Sequence, residues 1–159
     1  LALLLTINRI PQLYYGTEVL MNGTKQITDG NVRRDFPGGF IGDKHNAFTK
    51  EGRSKEENNM FNWLSNLLHW RQGNDVIIKG KQTQFIPQDG IYVVARTLGN
   101  KDIMTIVNGT SHQRKMKVAR YAEIIKGRNE AVNILSGRKI NVSTDVTLPS
   151  RGTMILEFK

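Results

Sequence analysis

One stretch near the start of the sequence gathers carboxylates that could do acid–base chemistry. Glu18, Asp29, Asp35 and Asp43 lie in or beside a segment rich in Gly, Asn and Lys. Two convergent carboxyl groups can act as a general acid and a general base. Acidic residues in a loop of this composition are usually solvated or structural, so we predict no catalytic residue among them. We expect Glu18 to accept hydrogen bonds that fix the base of the loop.

Histidine and cysteine offer no further cluster. The sequence contains no cysteine and three histidines, which are far apart: His45, His69 and His112. Without thiols, neither a disulfide nor a thiolate metal site can form. We therefore predict no metal site and no cofactor.

The positive charge of the chain raises the question of nucleic-acid binding. The 23 Lys and Arg residues exceed the 14 Asp and Glu residues, for a net charge of +9. These basic residues are scattered, and the one dense run, Arg114 to Arg120, alternates as a strand with one solvated face does. Because no nucleic-acid-binding motif accompanies the charge, we predict that nucleic acid is not a partner.

A long loop is predicted around the candidate carboxylates. Residues Leu1–Asn8 have the pattern of the end of a buried helix, which Pro11 interrupts. The apolar and aromatic run Gln12–Tyr15 predicts a short buried strand. The irregular segment Asn22–Arg53 follows, and loops of such length within compact domains are usually functional.

A helix is predicted directly after this loop. Ser54 and Glu57 have the spacing of a capping box, which marks a helix N-terminus, and Gly73 is suited to the C-terminal end. Trp63 and Trp70 lie seven residues apart, on one face of this helix. We interpret both as packing residues and not as a platform for sugar rings.

After residue 74 the hydrophobic pattern changes to a period of two. Strands are predicted at Thr83–Ile86, Ile91–Thr97, Ile103–Asn108, Gln113–Val118, Glu130–Asn133, Val146–Leu148 and Met154–Phe158. Short strands separated by turns rich in Gly, Asn and Asp indicate an antiparallel β-sandwich. The sequence thus divides into a strand–loop–helix segment, residues 1–73, and a β domain, residues 74–159.

The sequence begins with an apolar run, Leu1–Leu5, and not with methionine. This run is too short to span a bilayer and lacks the basic region that opens a signal peptide. We expect that the chain is cut from a longer protein within an apolar helix, and that a membrane is not a partner.

Several segments, in a consistent order along the chain, carry a resemblance. They read I-P-Q-L-Y-Y-G-T-E at residues 10–18, D-G-I-Y-V-V-A-R at 89–96, I-L-S-G-R-K at 134–139, and a final segment from Leu148 to Leu156. They resemble the eighth barrel strand and the C-terminal sandwich of the α-amylase family, glycoside hydrolase family 13. The stretch R-R-D-F-P-G-G-F, residues 33–40, is similar to the neopullulanase and cyclomaltodextrinase branch, in particular the starch-utilisation enzymes of Bacteroidetes.

The resemblance implies a mainly β chain in which a fragment of a (β/α)8 barrel precedes an antiparallel β-sandwich. The loop Asn22–Arg53 would be the last loop at the C-terminal end of the barrel, where such folds build their active sites. The parent enzyme would be a retaining α-glucan hydrolase that degrades starch and maltodextrin. The catalytic carboxylates of the family match no position here, so we predict that this piece alone is inactive.

The resemblance also assigns a role to Asp29 and Arg33. The segment from Asp29 to Arg33 resembles the family's D-P-x-x-R element, whose Asp and Arg hold sugar hydroxyls at a distal subsite. A carboxylate accepts from two hydroxyls, and a guanidinium supplies donors in a fixed geometry. Gly30 departs from the family's proline. The alternative is a plain salt bridge within the loop.

Two other interpretations concern the β domain: it could be a carbohydrate-binding module or a purely structural sandwich. Between residues 74 and 159 the aromatic side chains are Phe85, Tyr92, Tyr121 and Phe158, which are few for a glycan platform. The expected partner is therefore an α-glucan oligosaccharide, held by the parent enzyme.

The state and location of the chain follow from the same interpretation. The apolar face of the predicted helix would lack its barrel partners, so we expect self-association of the chain. The resemblance implies a periplasmic location, with the cytoplasm as the alternative.

Overall fold

The computed structural model describes residues 1–158, and Lys159, the last residue of the predicted β domain, lies outside the described residues. The chain forms two compact units: residues 1–11 together with residues 67 onward, and Gln12–Asn66. The predicted domains, 1–73 and 74–159, stay a prediction. Among the described helices, none combines the length and the apolar character that a membrane span requires.

The first unit is built mainly from β-strands. The strands are β1 Lys81–Gln88, β2 Ile91–Leu98, β3 Lys101–Asn108, β4 Arg114–Met116, β5 Glu130–Asn133, β6 Arg138–Asn141, β7 Val146–Leu148 and β8 Thr153–Phe158. A six-stranded antiparallel sheet has the order β1-β2-β3-β8-β5-β6, and β4 pairs with β7 in a separate two-stranded sheet. The predicted fold class, mainly β with an antiparallel β domain, is confirmed.

Among the described residues, one helix is long and the others are short. They are α1 Ala2–Thr6, α2 Lys55–Gln72, α3 Asp75–Lys79 and α4 Ala122–Ile125. Within residues 1–158, 3-10 turns are formed by Thr17–Val19, Gly30–Val32 and Val118–Tyr121. The long helix α2 begins directly after Ser54 and ends directly before Gly73, as the capping signals predict. Its capping box is formed: the Ser54 N–H donates to Glu57 Oε2 over 2.7 Å, and the Glu57 N–H donates to Ser54 Oγ over 3.2 Å.

The middle strands β2 and β3 are buried on both faces. Residues 93–96 of β2 and 102–106 of β3 are all buried, and side chains alternate between the faces of a strand. One face joins a core of apolar side chains that includes Met116, Tyr121 and Leu148. Helices α1 and α3 contact the other side of the pair. The β-sheet is thus the body against which residues 1–11 are held.

The β1–β2 hairpin shows how local sequence sets the register. Gln88 pairs with Ile91, and the two residues between them, Asp89 and Gly90, have φ values of 52° and 76°. A two-residue turn with positive φ at both positions matches the right-handed twist of a hairpin, and an Asp-Gly pair suits it. This turn fixes which face of β2 points into the core.

Several elements differ from the prediction. Residues 12–15 form no strand, because no strand of the described residues pairs with them, and a β-strand requires a hydrogen-bonded neighbour. The predicted strand Gln113–Val118 is only Arg114–Met116, since a 3-10 turn begins at Val118. Helix α3 was not predicted, although Asn74 caps it by accepting from the N–H groups of two following residues. Helix α4 and strand β6 were not predicted either.

The dense basic run is tied to its neighbours by hydrogen bonds. Lys117 Nζ donates to Asp145 Oδ2 over 2.7 Å. The Arg120 guanidinium donates to Gln88 Oε1 over 2.5 Å and to the Ile86 carbonyl over 2.7 Å. The pKa of the Asp145 carboxyl is lowered, chiefly by the hydrogen bond from Lys117. Part of the charge of this run therefore serves to hold the surface of the β domain together.

Candidate functional site

The long loop of the second unit contains both predicted substrate-binding residues. Asp29 precedes the 3-10 turn Gly30–Val32, and Arg33 follows it. Both side chains are exposed, and in the described part of the chain no ion pair joins them. A 3-10 helix repeats every three residues, so residues four apart point in different directions. The salt bridge considered above is therefore not formed, and the sugar-binding role of both residues stays a prediction.

A narrow cleft of about 150 Å³ lies beside this turn. Tyr14, Tyr15, Asn31 and Arg34 are among its lining residues. Tyr15 Oη donates to the Arg34 carbonyl over 2.8 Å, and the Arg34 guanidinium donates to the Asn22 carbonyl. Partial burial, with a contribution from Tyr14, raises the pKa of the Tyr15 hydroxyl. A tyrosine hydroxyl is protonated around neutral pH even at its ordinary pKa, so this group keeps its donor role there.

Asn31 fixes the opposite wall of this cleft. Its side-chain oxygen accepts from the N–H of Thr24 over 2.8 Å. A Cβ at Gly23 would lie 2.2 Å from the carbonyl oxygen of Asn31, so only glycine fits there. The turn that carries Asp29 and Arg33 is thereby held against the start of the loop.

Of the four candidate carboxylates, Asp43 has the clearest structural task. Its Oδ2 accepts from the N–H groups of Gly38, over 2.8 Å, and Phe40, over 3.1 Å. In the described part of the chain the Glu18 carboxylate accepts no hydrogen bond, so the expectation that Glu18 fixes the loop was wrong. Asp43 fixes it instead, because its carboxylate reaches the N–H groups five and three residues before it in the turn.

A second concavity, of about 350 Å³, lies on the same loop. Its lining residues are Asp35, Pro37, Phe40, Asp43, Lys44 and His45. His45 Nε2 lies 3.0 Å from Glu57 Oε1 in helix α2. Within residues 33–40, the sequence pointed to Arg33 and Asp35 as candidate site residues but not to Phe40. The signal that could have found it is the Pro37-Gly38-Gly39 turn set between two phenylalanines.

Side chains that could bind a metal ion are not clustered in the described residues. Among residues 1–158, no three His, Asp or Glu side chains lie close enough together to hold a metal ion.

The aromatic side chains of the β domain do not form an exposed row. Tyr121 and Phe158 are buried in the core, and Phe85 packs edge-on against Tyr121 at a ring distance of 4.9 Å. Tyr92 is partly buried and donates its hydroxyl to Gln84 over 3.2 Å. The exposed aromatic platform that a carbohydrate-binding module would need is thus not seen among the described residues of this domain.

Comparison with known proteins defines the class of this chain. Residues 82–157 match the family described as the cyclo-malto-dextrinase C-terminal domain. The cyclomaltodextrin glucanotransferase of Bacillus sp. (strain 1-1) is 30% identical over 111 residues, which are 70% of this chain and 13% of that protein.

Solved structures extend the fold match to nearly the whole chain. The α-amylase of Geobacillus thermoleovorans, complexed with acarbose, superimposes with a TM-score of 0.71 at 21% identity over 99% of this chain and 32% of its own. An Anoxybacillus α-amylase gives a TM-score of 0.69 at 19% identity over 98% of this chain and 30% of its own.

The fold and the matched domain are those of α-amylase-family glycoside hydrolases. This chain is the C-terminal part of such a glycoside hydrolase family 13 enzyme, and residues 82–157 form its cyclo-malto-dextrinase-type C-terminal domain. The chain spans 13% of the glucanotransferase and about a third of the α-amylase structures.

Proposed function

We propose that the parent enzyme is a retaining α-glucan hydrolase of the neopullulanase or cyclomaltodextrinase type, which cleaves α-1,4 links in starch and maltodextrins. The observation that carries this proposal is the match of residues 82–157 to the cyclo-malto-dextrinase C-terminal domain. A relative whose name refers to cyclomaltodextrin, and an α-amylase structure with bound acarbose, support the same substrate class.

In this proposal the chain supplies scaffold and one substrate-cleft loop, and no catalytic group. A retaining glycosidase needs two carboxyl groups about 5–5.5 Å apart, one as nucleophile and one as acid/base. Three of the loop carboxylates have other environments. Asp43 accepts hydrogen bonds from backbone N–H groups, and Asp29 and Asp35 are exposed to solvent. The catalytic pair would therefore lie in the part of the parent enzyme that precedes this chain.

An activity assay tests the proposal. The parent enzyme should release reducing sugar from maltoheptaose, β-cyclodextrin and pullulan, with retention of the α-anomer seen by NMR of the first product. The 159-residue chain alone should release none. Hydrolysis with inversion, or an enzyme active only on β-linked glucans, would reject the proposal.

We further propose that Asp29 and Arg33 hold sugar hydroxyls at a distal subsite. Both lie on one short turn, both are exposed, and neither is engaged in an ion pair within the described residues. Their charged groups are therefore available to a ligand. Hydrogen bonds in which one partner is charged contribute about 1.5–3 kcal/mol each, so their loss should be measurable.

The substitution Arg33→Ala in the parent enzyme tests this subsite. We expect KM for maltoheptaose to rise roughly 10- to 100-fold, which corresponds to the loss of one charged hydrogen-bonding group. Hydrolysis of maltotriose, which is too short to reach a distal subsite, should change little. Lys25→Ala serves as the control, because Lys25 is an exposed cation of the same loop. An unchanged KM for maltoheptaose in Arg33→Ala would remove the subsite.

We also propose that the isolated chain self-associates. Met60 and Phe61 of α2 remain partly exposed, and contiguous exposed apolar surface favours association. Light scattering on the 159-residue chain should give a mass above that of the 18.0 kDa monomer, and the double variant Met60→Gln/Phe61→Gln should lower it. A monodisperse monomer would contradict this.

By its resemblance, we place the parent enzyme in the periplasm, which cell fractionation can check.

A further inference from the structure

The segment of residues 36–48, here called the Phe40 loop, is held in one shape by its own hydrogen bonds. The Asp43 carboxylate accepts from the N–H groups of Gly38 and Phe40. The Ala47 N–H donates to the Pro37 carbonyl over 3.0 Å. Gly38 has a φ of 96°, and a Cβ there would lie 2.4 Å from the side-chain oxygen of Asn46. The backbone of the loop is therefore built for one conformation.

The base of the Phe40 loop is fixed as well. Arg53 donates to the Ala47 carbonyl over 3.1 Å and to Asn58 Oδ1 over 3.0 Å. Its guanidinium also lies 4.0 Å from the centre of the Phe61 ring. Ala47 is buried. Contacts on both sides of the loop thus resist its rearrangement.

This ordered loop nevertheless presents apolar side chains to water. The exposed fraction is 63% for Phe40 and 62% for Phe48, and Ile41 is fully exposed. Burying such side chains is worth about 1.5–3 kcal/mol each, so their display on an ordered loop has a cost in stability. Exposed apolar groups of this kind mark binding surfaces, and loops held by a scaffold commonly carry them.

The surroundings of Phe40 are polar, which restricts the kind of ligand. The concavity of about 350 Å³ beside its ring is lined by two carboxylates, a lysine and a histidine. The Asp43 carboxylate already accepts a backbone hydrogen bond, and the His45 ring is already hydrogen-bonded to Glu57. Asp35 and Lys44 are exposed and make no ion pair within the described residues. An aromatic ring beside one free acceptor and one free donor is the lining of a small-molecule site.

We propose that the Phe40 loop binds a glucose unit of an α-1,4-glucan chain. The C–H groups of one sugar face would lie on the Phe40 ring, whose face is electron-rich. The Asp35 carboxylate would accept from sugar hydroxyls, and the Lys44 ammonium would donate to a hydroxyl oxygen. The inference rests on the proposed function, because it takes the same substrate, but it names a site separate from Asp29 and Arg33.

An uncharged sugar fits these observations better than a protein surface does. A protein partner would cover Ile41, which is more exposed than Phe40, yet Ile41 does not line the concavity. The polar groups converge on Phe40 and not on Ile41. The substitution of these two neighbours therefore separates the two kinds of partner.

The test is an NMR titration of the 15N-labelled 159-residue chain with maltotriose. We expect saturable shift changes confined to residues 35–45, with a dissociation constant in the millimolar range. Phe40→Ala should weaken binding at least about fivefold, since stacking on an aromatic ring contributes roughly 1 kcal/mol. Phe40→Tyr should retain binding. Asp35→Asn, at an exposed position, should also weaken it.

Matched controls make the result specific. Ile27→Ala removes an exposed apolar side chain of the same unit outside the Phe40 loop, and it should leave maltotriose binding unchanged. Cellotriose, which has the same composition with β-links, should bind more weakly than maltotriose.

Three results would overturn the inference. They are an absence of shift changes at residues 35–45, equal binding by Phe40→Ala and the unsubstituted chain, and self-association that Ile41→Asp abolishes without any response to sugar. The last would make the loop a protein contact. If the parent enzyme hydrolyses maltodextrins while the Phe40 loop does not bind maltotriose, only this inference fails. If the loop binds maltotriose while the parent enzyme hydrolyses no α-glucan, the proposed function fails.

Discussion

Replacing Asp102 by alanine is expected to lower the free energy of unfolding of the β domain by about 3 kcal/mol. The Asp102 side chain is completely buried in β3. Its carboxylate accepts from Lys126 Nζ, at 3.1 Å and 2.9 Å from its two oxygens, and from the Arg128 guanidinium. Removing one partner of a buried ion pair costs roughly 3–5 kcal/mol, because the other charge is left without compensation.

The surroundings of Arg128 explain why its charge would be left buried and without a partner in Asp102→Ala. The Arg128 side chain is only 19% exposed, against 45% for Lys126. Its guanidinium lies 4.7 Å from the centre of the Phe158 ring, and its Nε donates to the Ile125 carbonyl over 2.9 Å. Lys126 can turn to water, whereas Arg128 cannot do so without leaving these contacts. We therefore expect a loss at the lower end of the range for fully buried pairs.

Urea unfolding, followed by circular dichroism, measures the effect of Asp102→Ala. Asp75→Ala is the matched control, since Asp75 pairs with Lys79 at 2.9 Å with both side chains 66% exposed. Exposed pairs contribute about 0.2–1 kcal/mol. The double variant Asp102→Ala/Arg128→Met should lose less unfolding free energy than the two single variants together, because it leaves no unpaired Arg128 charge. Equal losses in Asp102→Ala and Asp75→Ala would contradict the argument.

The elements that sequence predicts well are those whose signals are local. Strands β5 and β7 have the predicted bounds, Glu130–Asn133 and Val146–Leu148. Each alternates within a few residues and is bounded by turn residues. Helix α2 was predicted for the same reason, since the capping box of Ser54 and Glu57 lies within one turn.

The elements that sequence predicts poorly depend on distant partners. Strand β6, Arg138–Asn141, is polar and mostly exposed, and it exists because β5 pairs with it at the edge of the sheet. Conversely, residues 12–15 have the composition of a buried strand but find no strand to pair with among the described residues. Pairing is a property of the fold, and composition alone does not supply it.

The candidate site shows the same limit. Asp29 and Arg33 could be proposed because their spacing resembles a family element, but whether they touch each other depends on the 3-10 turn between them. The role of Phe40 depends on its exposure and on the concavity beside it. Exposure is decided by packing, so a sequence with five other phenylalanines offers no direct sign of which one faces solvent.

The attachment of residues 1–11 to the β domain depends on a buried arginine. The Arg96 side chain is only 1% exposed. Its Nη1 donates to the Thr6 carbonyl over 3.2 Å, and its Nε and Nη2 donate to the Gly80 carbonyl over 3.2 Å and 2.7 Å. Thr6 ends α1 and Gly80 follows α3, so the cation lies where both helices present free carbonyls. Cations are favourable at helix C-termini.

No carboxylate neutralises Arg96 in the described part of the chain, which makes these carbonyls its only compensation. Burial, with a contribution from the charge of Arg71, lowers the pKa of the Arg96 guanidinium. Arg71 itself donates to the Leu5 carbonyl over 2.8 Å. Thr6 adds a side-chain hydrogen bond, since Thr105 Oγ1 donates to Thr6 Oγ1 over 2.8 Å. Two arginines and one threonine pair thus hold the end of α1.

Replacing Arg96 by methionine should therefore cost about 2–4 kcal/mol of unfolding free energy. Two buried carbonyls lose their donors, at roughly 1–3 kcal/mol each, and relief from burying a cation offsets part of this loss. Hydrogen exchange of the Leu5 and Ile7 amides should accelerate more than that of the β2 and β3 amides, because α1 is released first. Arg138→Met, on the exposed edge strand, is the control. If Arg96→Met leaves both the unfolding free energy and the α1 exchange rates at the level of that control, the arginine does not anchor the N-terminal segment.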